Sequence, residues 1–309
     1  MRRLLLRLPG LSTNSWAALS AVFPRMKSLQ DLLIENTDHS LNDDIMAGCI
    51  PSLASCAAMR VLNLSNLDLS TNSCASLVAI FPQMAALLDL ELEEQPNHLA
   101  RQLSILRFET LGLSGNTLCP GGPGVIATSL ANPECRLEVL SLYHINIEDE
   151  GLTSLAQSLR KNQRLASMHL VWTDITETGW NEFSSVLCDT SSINATHGSN
   201  HTLQWLARRS ARTPQDIKMM LQVNSDQDKS RVAANKILLA HRHLDMRPLI
   251  DWELNLLPHV VSWLERFAES RLDLKLSSIF QFVLAMPMDI IDGVTSKKKK
   301  GKKRLSSSI

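Results

Sequence analysis

Leucines recur along the chain in a pattern that alternates between two periods. Short segments carry apolar residues at every second position, as at Leu140 and Leu142, which is the period of a β-strand because successive side chains point to opposite faces. The segments that follow carry apolar residues three or four positions apart, as at Leu152, Leu155 and Leu159, which is the period of a helix. The pattern predicts successive strand and helix pairs that share one core.

The strand and helix pairs recur at a regular distance. Residues 11–26 and 69–84 are identical at 11 of 16 positions, and their offset of 58 equals two units of 29. An L-x-x-L-x-L pattern or a close variant starts at Met1, Leu29, Met59, Leu87, Phe108, Leu137 and Leu165. Periods of 20–29 residues are typical of leucine-rich repeats. The predicted fold is therefore α/β, a leucine-rich-repeat solenoid of about seven repeats.

One repeat carries a more specific resemblance. Residues 137–159, with their L-x-x-L-x-L start and with Gly151 expected just before the helix, resemble the ribonuclease-inhibitor type of leucine-rich repeat. The resemblance covers about residues 1–206 and implies a horseshoe with parallel strands on the concave face and helices on the convex face. Segments 188–193 and 200–203 further resemble the terminal segment of uncharacterised leucine-rich-repeat proteins of single-celled algae. The family implies protein binding, but its fold does not name a ligand.

Composition divides the chain into four predicted parts. The repeat array is expected over residues 1–206, a closing repeat and connector over 207–230, a helical cap over 231–293 and a disordered basic tail over 294–309. The cap is expected because an exposed terminal repeat would leave an apolar face in water. Apolar residues at helical spacing within 249–286 support it, and a partner-binding helix is the alternative interpretation.

Two features depart from a regular array. The Met1 repeat begins without a capping segment, so its apolar flank would be uncovered. This predicts an array that starts partway through, with self-association at that end as the alternative. The repeat from Leu87 to Arg107 is only 21 residues long, although Leu99 and Leu103 still indicate a short helical stretch. We expect its outer side to be thinner than that of its neighbours.

The charges are unevenly distributed. The chain has 31 basic and 31 acidic residues, but seven basic residues lie in the tail, so the remainder has 31 − 7 = 24 basic residues and a net charge of −7. An acidic body argues against broad phosphate binding, and 5% aromatic residues argue against stacking on single-stranded nucleic acid. The sequence contains no apolar run of about 18 residues, so no membrane-spanning helix is predicted. Nucleic acid and membrane are therefore not expected as partners of the body.

The basic tail contains a dense cationic run at residues 297–304, which has no apolar residues to pack it into a core. The cations of this run are Lys297, Lys298, Lys299, Lys300, Lys302, Lys303 and Arg304. A nuclear-import signal, loose nucleic-acid contacts and a merely solvated segment are the alternatives for its role. The predicted location is cytoplasmic, or nuclear if the tail acts as an import signal.

Motifs for catalysis and metal binding are incomplete. Residues 112–115 lack the final glycine of a nucleophile elbow, and residues 121–124 lack the lysine of a phosphate-binding loop. His197 and His201 have the spacing of metal ligands on a helix, but no glutamate lies between them, and the neighbouring residues favour a loop. The six cysteines have no zinc-like spacing, which indicates reduced thiols. We predict no enzyme activity, cofactor, metal or small-molecule substrate.

Outward-facing strand positions are the candidate binding residues, because the repeat phase places them together on the concave face. The predicted site comprises Asp31, Glu35, Asp89, Glu91, Glu93, Tyr143, His144, His169 and Trp172. Arg3 and Arg7 occupy the same positions in the first repeat. Neighbouring strands lie about 4.8 Å apart, so the acids are expected to attract a basic partner. Ordinary solubility residues are the alternative for the acids.

Trp172 is the expected anchor of this site, because tryptophan and tyrosine contribute most to interface energies. A Trp172 half-buried under a neighbouring loop is the alternative. Together these features predict an intracellular, non-enzymatic scaffold or adaptor that binds a basic protein. The alternative function is regulation of an enzyme, as by the leucine-rich-repeat activators of small GTPases, although those proteins typically carry an acidic tail rather than a basic one.

Overall fold

Eight strands form one parallel sheet in the computed structural model of the protein. The structure describes residues 1–8, 13–36, 43–67, 69–93, 105–118, 121–170, 175–206 and 213–241. Within these ranges the strands are β1 Arg3–Leu8, β2 Asp31–Asn36, β3 Val61–Ser65, β4 Asp89–Glu91, β5 Thr110–Gly112, β6 Val139–Ser141, β7 Ser167–His169 and β8 Trp205–Leu206. Each strand pairs with the next one in chain order. The seven predicted repeat starts do not include β8, which follows Leu203.

Helices connect most of the strands. They are α1 Thr13–Val22, α2 Asp43–Leu53, α3 Thr71–Ile80, α4 Gly122–Leu130, α5 Asp149–Ser158, α6 Glu177–Leu187, α7 Ile193–His197, α8 Gln215–Val223 and α9 Lys229–Ala240. Short 3₁₀ turns occupy Phe23–Arg25, Phe81–Gln83 and Ile105–Arg107. Parallel strands require such crossover connections, because a tight hairpin joins only antiparallel strands. The result is an α/β fold consistent with a leucine-rich-repeat solenoid.

The alternating leucines form the core of the sheet. One row of register-matched residues is almost completely buried, and it contains Leu32, Leu62, Leu90, Leu111, Leu140, Met168 and Leu206. Full burial of such a side chain stabilises the fold by about 1.5–3 kcal/mol. Residues on either side of this row point the opposite way, because strand side chains alternate. We call the side of the sheet that carries them the outward face.

Gly151 lies in the first turn of α5 rather than before the helix. A Cβ atom there would lie 2.9 Å from Ile147 Cγ2 and 2.9 Å from Pro123 Cβ. Glycine is therefore required for the close approach of α5 to the start of α4.

Gly151→Ala is expected to lower the free energy of unfolding by about 1–3 kcal/mol, because the new methyl group overpacks this contact. Gly124 in α4 is the matched control, because a Cβ atom there would have nothing within 4 Å. Gly124→Ala is expected to stabilise the protein by about 0.5–1 kcal/mol through helix propensity. Urea unfolding followed by circular dichroism measures both effects. Equal stability of the two variants would contradict the steric explanation.

Arg107, the last residue of the shortened repeat, connects the backbone on both sides of that repeat. Its guanidinium donates hydrogen bonds to the carbonyl oxygens of Phe81 at 2.7 Å, Met84 at 2.6 Å and Leu87 at 3.4 Å. The guanidinium also lies 5.6 Å from the ring centroid of Phe108. One side chain thus joins the turn before β5 to the turn before β4. Leu99 and Leu103, predicted to be helical, lie outside the described residues.

The chain separates into two compact units. The first comprises Met1–Phe183 and Thr202–Gln215 and contains all eight strands, and the second comprises Ser184–His201 and the chain from Asp216 onward. Within the second unit α7 packs against α9, and the Asp228 carboxylate caps α9. The domain boundaries at residues 206, 230 and 293 stay a prediction. Residues 242–309, which include most of the predicted cap and the whole basic tail, are outside the described part.

Candidate protein-binding face

Two rows of register-matched residues run across the outward face, the first from β1 to β8 and the second from β1 to β7. The first row contains Arg3, Asp31, Val61, Asp89, Thr110, Val139, Ser167 and Trp205. The second row contains Leu5, Leu33, Asn63, Glu91, Gly112, Ser141 and His169. Residues between 21 positions apart (Asp89 and Thr110) and 38 positions apart (Ser167 and Trp205) therefore lie beside one another. Four of the predicted site residues belong to these rows, namely Asp31, Asp89, Glu91 and His169.

The first two strands carry opposite charges that pair. Arg3 Nε lies 2.7 Å from Asp31 Oδ2, and Arg7 Nε lies 3.0 Å from Glu35 Oε2. Both arginine side chains are largely exposed, so each pair stabilises the fold by at most about 1 kcal/mol. The pairs nevertheless neutralise the charges of Asp31 and Glu35. The negative potential predicted at this end of the face is correspondingly reduced.

The acidic centre of the outward face consists of Asp89 and Glu91, at the two ends of β4, and Glu93, just after this strand. All three side chains are half-buried. The structure, as far as it describes the chain, shows no ion pair for Asp89 or Glu91. Glu91 Oε2 accepts a hydrogen bond from Asn63 Nδ2, so its carboxylate is held in place by a neutral group that leaves its charge intact.

Gly112 on β5 makes room for this carboxylate. A Cβ atom at Gly112 would lie 3.0 Å from Glu91 Cγ. The glycine therefore lets the glutamate side chain lie over the neighbouring strand. Sequence reasoning assigned no role to Gly112 at the site. The signal was present in the repeat phase, since glycine occupies a strand position where its neighbours carry side chains.

An aromatic pair lies farther along the same face, with His169 on β7 and Tyr143 in the turn after β6. The rings of Tyr143 and His169 stack with centroids 5.2 Å apart and an angle of 26° between planes. Burial lowers the pKa of His169, which favours its neutral imidazole near pH 7. Trp205 on β8 is 50% exposed and was missed because β8 was not counted among the repeats. Trp172, the predicted anchor, lies outside the described residues.

His144 differs from the other predicted site residues in its position. It has a left-handed backbone with φ of 55° and lies in the loop after β6 rather than in a strand row. There it lines a cavity of about 660 Å³ together with Asn146, Glu148 and Glu150. Glu148, just before α5, and Glu150, in its first turn, add negative charge to the cavity wall. They also complement the positive end of the α5 dipole.

His197 and His201, the histidine pair considered for metal binding, are joined by a hydrogen bond between the ring of one and the backbone of the other. His201 Nε2 donates a hydrogen bond to the carbonyl oxygen of His197 at 2.9 Å. Burial, with a further contribution from the nearby Lys236 charge, lowers the pKa of His201 to about 4. No group of three His, Cys, Asp or Glu side chains suited to a metal ion occurs in the part of the chain that the structure describes. A search of the same residues finds no helix that could span a membrane.

No protein-family model matches the chain. Among curated proteins, the chain is similar to a ribonuclease inhibitor of Mus musculus, with 24% identity over 190 residues. The matched segment is 61% of this chain and 36% of the relative, so the chain spans little more than a third of that protein. The resemblance to algal terminal segments stays a prediction. The distant similarity, together with the open parallel sheet, supports a leucine-rich-repeat-like family, whose members are typically not catalysts.

Proposed function

We propose that this protein is a non-enzymatic scaffold or adaptor that binds another protein through its outward face. The observation that supports the proposal is the strand register, which aligns Asp89, Glu91 and His169 on one surface although they are distant in sequence. The Tyr143 ring stacks on the last of these residues. The distant relative is named as an inhibitor of ribonuclease, which is itself a protein.

The proposed partner has a basic surface. Asp89 and Glu91 have no ion pair within the described ranges, so their charges are available to guide a cationic surface. Asp31 and Glu35 contribute less because Arg3 and Arg7 neutralise them. The centre of the interface is therefore proposed at β4 to β7, which extend from the acidic centre to His169, the stacking partner of Tyr143. Aromatic rings supply the contact energy, and carboxylates mainly set the association rate.

A triple variant, Asp89→Asn with Glu91→Gln and Tyr143→Ala, is expected to weaken partner binding by about 30-fold or more, as loss of a hot spot does. The neutralised acids are expected to reduce the salt dependence of the association rate. Partners are first identified by cross-linking and affinity capture from a native lysate, and their affinities are then measured by biolayer interferometry. Circular dichroism establishes that the variant remains folded.

Glu134→Gln with Glu177→Gln is the matched control, because it makes the same change in net charge at exposed residues off the strands. The control is expected to bind every partner as the unchanged protein does. Retention of all partners by the folded triple variant would overturn the proposed binding face. The next candidate for the binding site would then be the chain beyond residue 241.

Regulation of an enzyme is the second candidate function, because the relative is named for inhibiting one. To test this function, the turnover rate of pancreatic ribonuclease and the GTP hydrolysis rates of small GTPases are measured with and without the protein. An inhibitor slows turnover at stoichiometric amounts, whereas an activator accelerates hydrolysis at substoichiometric amounts. Binding without any change in turnover would favour the scaffold over the regulator.

A further inference from the structure

Lys236 is a fully buried lysine in α9 of the second compact unit. Its Nζ donates hydrogen bonds to the carbonyl oxygens of Leu187 at 2.6 Å and Asn200 at 2.7 Å. Leu187 is the last residue of α6, and its carbonyl has no partner within that helix. One amino group thus attaches α9 to two segments that precede it by 49 and 36 residues. We call this arrangement the α9 latch.

The latch offers two carbonyl acceptors, which is the number that a neutral amine needs. A neutral amino group has two N–H bonds, one for each carbonyl oxygen, whereas an ammonium has a third. The described residues supply no carboxylate that forms an ion pair with Lys236. A buried charge without a counter-charge is strongly unfavourable. Deprotonation therefore removes the charge penalty and keeps both hydrogen bonds.

The groups around Lys236 do not reverse this preference. Burial raises the pKa of the Cys188 thiol, so it is uncharged near neutral pH and supplies no counter-charge. Lys229, at the start of α9, opposes an additional positive charge at Lys236. His201 has a pKa of about 4, so it is neutral near pH 7 and supplies no counter-charge. The charge of Asp189 raises the pKa of the Cys188 thiol further, which also favours the uncharged thiol.

Two further histidines complete the surroundings of α9. Burial lowers the pKa of His197 on α7, which packs against α9. His241, the residue at the end of α9, shares a 2.9 Å hydrogen bond with Thr196 Oγ1. Neither histidine supplies the negative charge that a buried ammonium would need.

We propose that Lys236 makes the closure of α9 pH-dependent, so that proton uptake by its amino group loosens the latch and proton release tightens it. This is a regulatory element of the second unit and does not depend on the outward face. Burial lowers the pKa of Lys236 from 10.5 to about 7, in the direction that the geometry requires.

The direction of the pH dependence follows from the number of protons that the open and closed states bind. When α9 opens, Lys236 regains its ordinary pKa, so the open state binds more protons than the closed state between about pH 7 and pH 10.5. Opening is therefore favoured at acidic pH and decreases as the pH rises through this window. His201 acts in the same direction at lower pH, because its pKa is lowered from 6.5 to about 4 in the closed state.

Limited proteolysis of the full chain with thermolysin measures the opening, because cleavage of α9 tracks its open population when reclosing is fast. Cleavage within residues 229–240 is located by mass spectrometry and divided by the cleavage rate of an isolated peptide of that sequence at the same pH. From pH 7 to pH 9 the opening constant of the unchanged protein is expected to fall about 50-fold. A pH-independent constant would overturn the proposal.

Lys236→Met is expected to reduce that change to less than about 3-fold, because methionine has a similar shape and no charge to titrate. Lys218→Met on α8 is the control and should retain the full pH dependence. Retention of the full dependence by Lys236→Met would also overturn the proposal.

A direct titration covers the case in which Lys236→Met does not fold. The ¹³Cε resonance of Lys236 in the unchanged chain reports its protonation by nuclear magnetic resonance. A midpoint below pH 9 supports the latch, and a midpoint above pH 9 refutes it.

Discussion

Replacing Asn162 with alanine is expected to lower the free energy of unfolding by about 3–4 kcal/mol. Asn162 is only 4% exposed, and its side chain serves three backbone groups. Nδ2 donates to the Leu130 carbonyl at 2.8 Å, and Oδ1 accepts from the amides of Arg164 at 3.0 Å and Leu165 at 2.7 Å. Alanine leaves these groups without their partner, and each lost hydrogen bond removes about 1 kcal/mol. Urea unfolding measured by circular dichroism tests the value.

Asn132 provides a matched control one repeat earlier. Its Oδ1 also accepts from the amide two residues later, that of Glu134, at 2.8 Å, but this contact is exposed. Water replaces the lost acceptor there, so Asn132→Ala is expected to change the stability by less than about 1 kcal/mol. Similar losses for the two variants would show that burial of the Asn162 network does not determine its energy.

Arg107→Met is expected to lower the free energy of unfolding by about 2–4 kcal/mol, because three carbonyl oxygens lose a charged donor. These carbonyls belong to Phe81, Met84 and Leu87, at the end of one repeat and the start of the next. Arg107→Lys is expected to recover only a minor part of the loss. An ammonium is a compact charge and cannot reproduce the planar set of guanidinium donors. Chemical unfolding of both variants provides the measurement.

Arg136 is the control for Arg107, because it lies in the same region of the following repeat and its side chain is exposed. Arg136→Met is expected to change the stability by no more than about 0.5 kcal/mol. If Arg107→Met were equally harmless, the guanidinium contacts would not hold the shortened repeat together. Its stability would then depend on the Phe81 and Phe108 rings, which pack edge to face.

The candidate site was predicted from the sequence only as far as repeat phase determines strand position. The position of each residue within its repeat predicts Asp89, Glu91 and His169 at outward strand positions. The strand register places all three in the two outward rows. Repeat phase also placed Arg3 and Asp31 at equivalent positions, but the pairing of their charges depends on the distance between side chains. Phase alone therefore overestimated the negative charge at the first two strands.

Other parts of the site were beyond the reach of the sequence pattern. His144 was assigned to the same surface as Tyr143, yet its left-handed backbone turns it into the wall of the loop cavity. The stacking of Tyr143 on His169 depends on the conformation of a loop after β6. A two-residue strand at Trp205 is too short for its alternation to be recognised.

The sequence by itself determined the α/β class and the parallel order of the strands, because strand and helix periods are local and their repetition near 29 residues leaves each strand beside its predecessor. Only the tertiary structure decided which polar side chains are buried and what they bind. The acceptors of Arg107 lie 20–26 residues away, and those of Lys236 lie 36–49 residues away. Such contacts depend on side-chain positions in the folded protein, which no local period encodes.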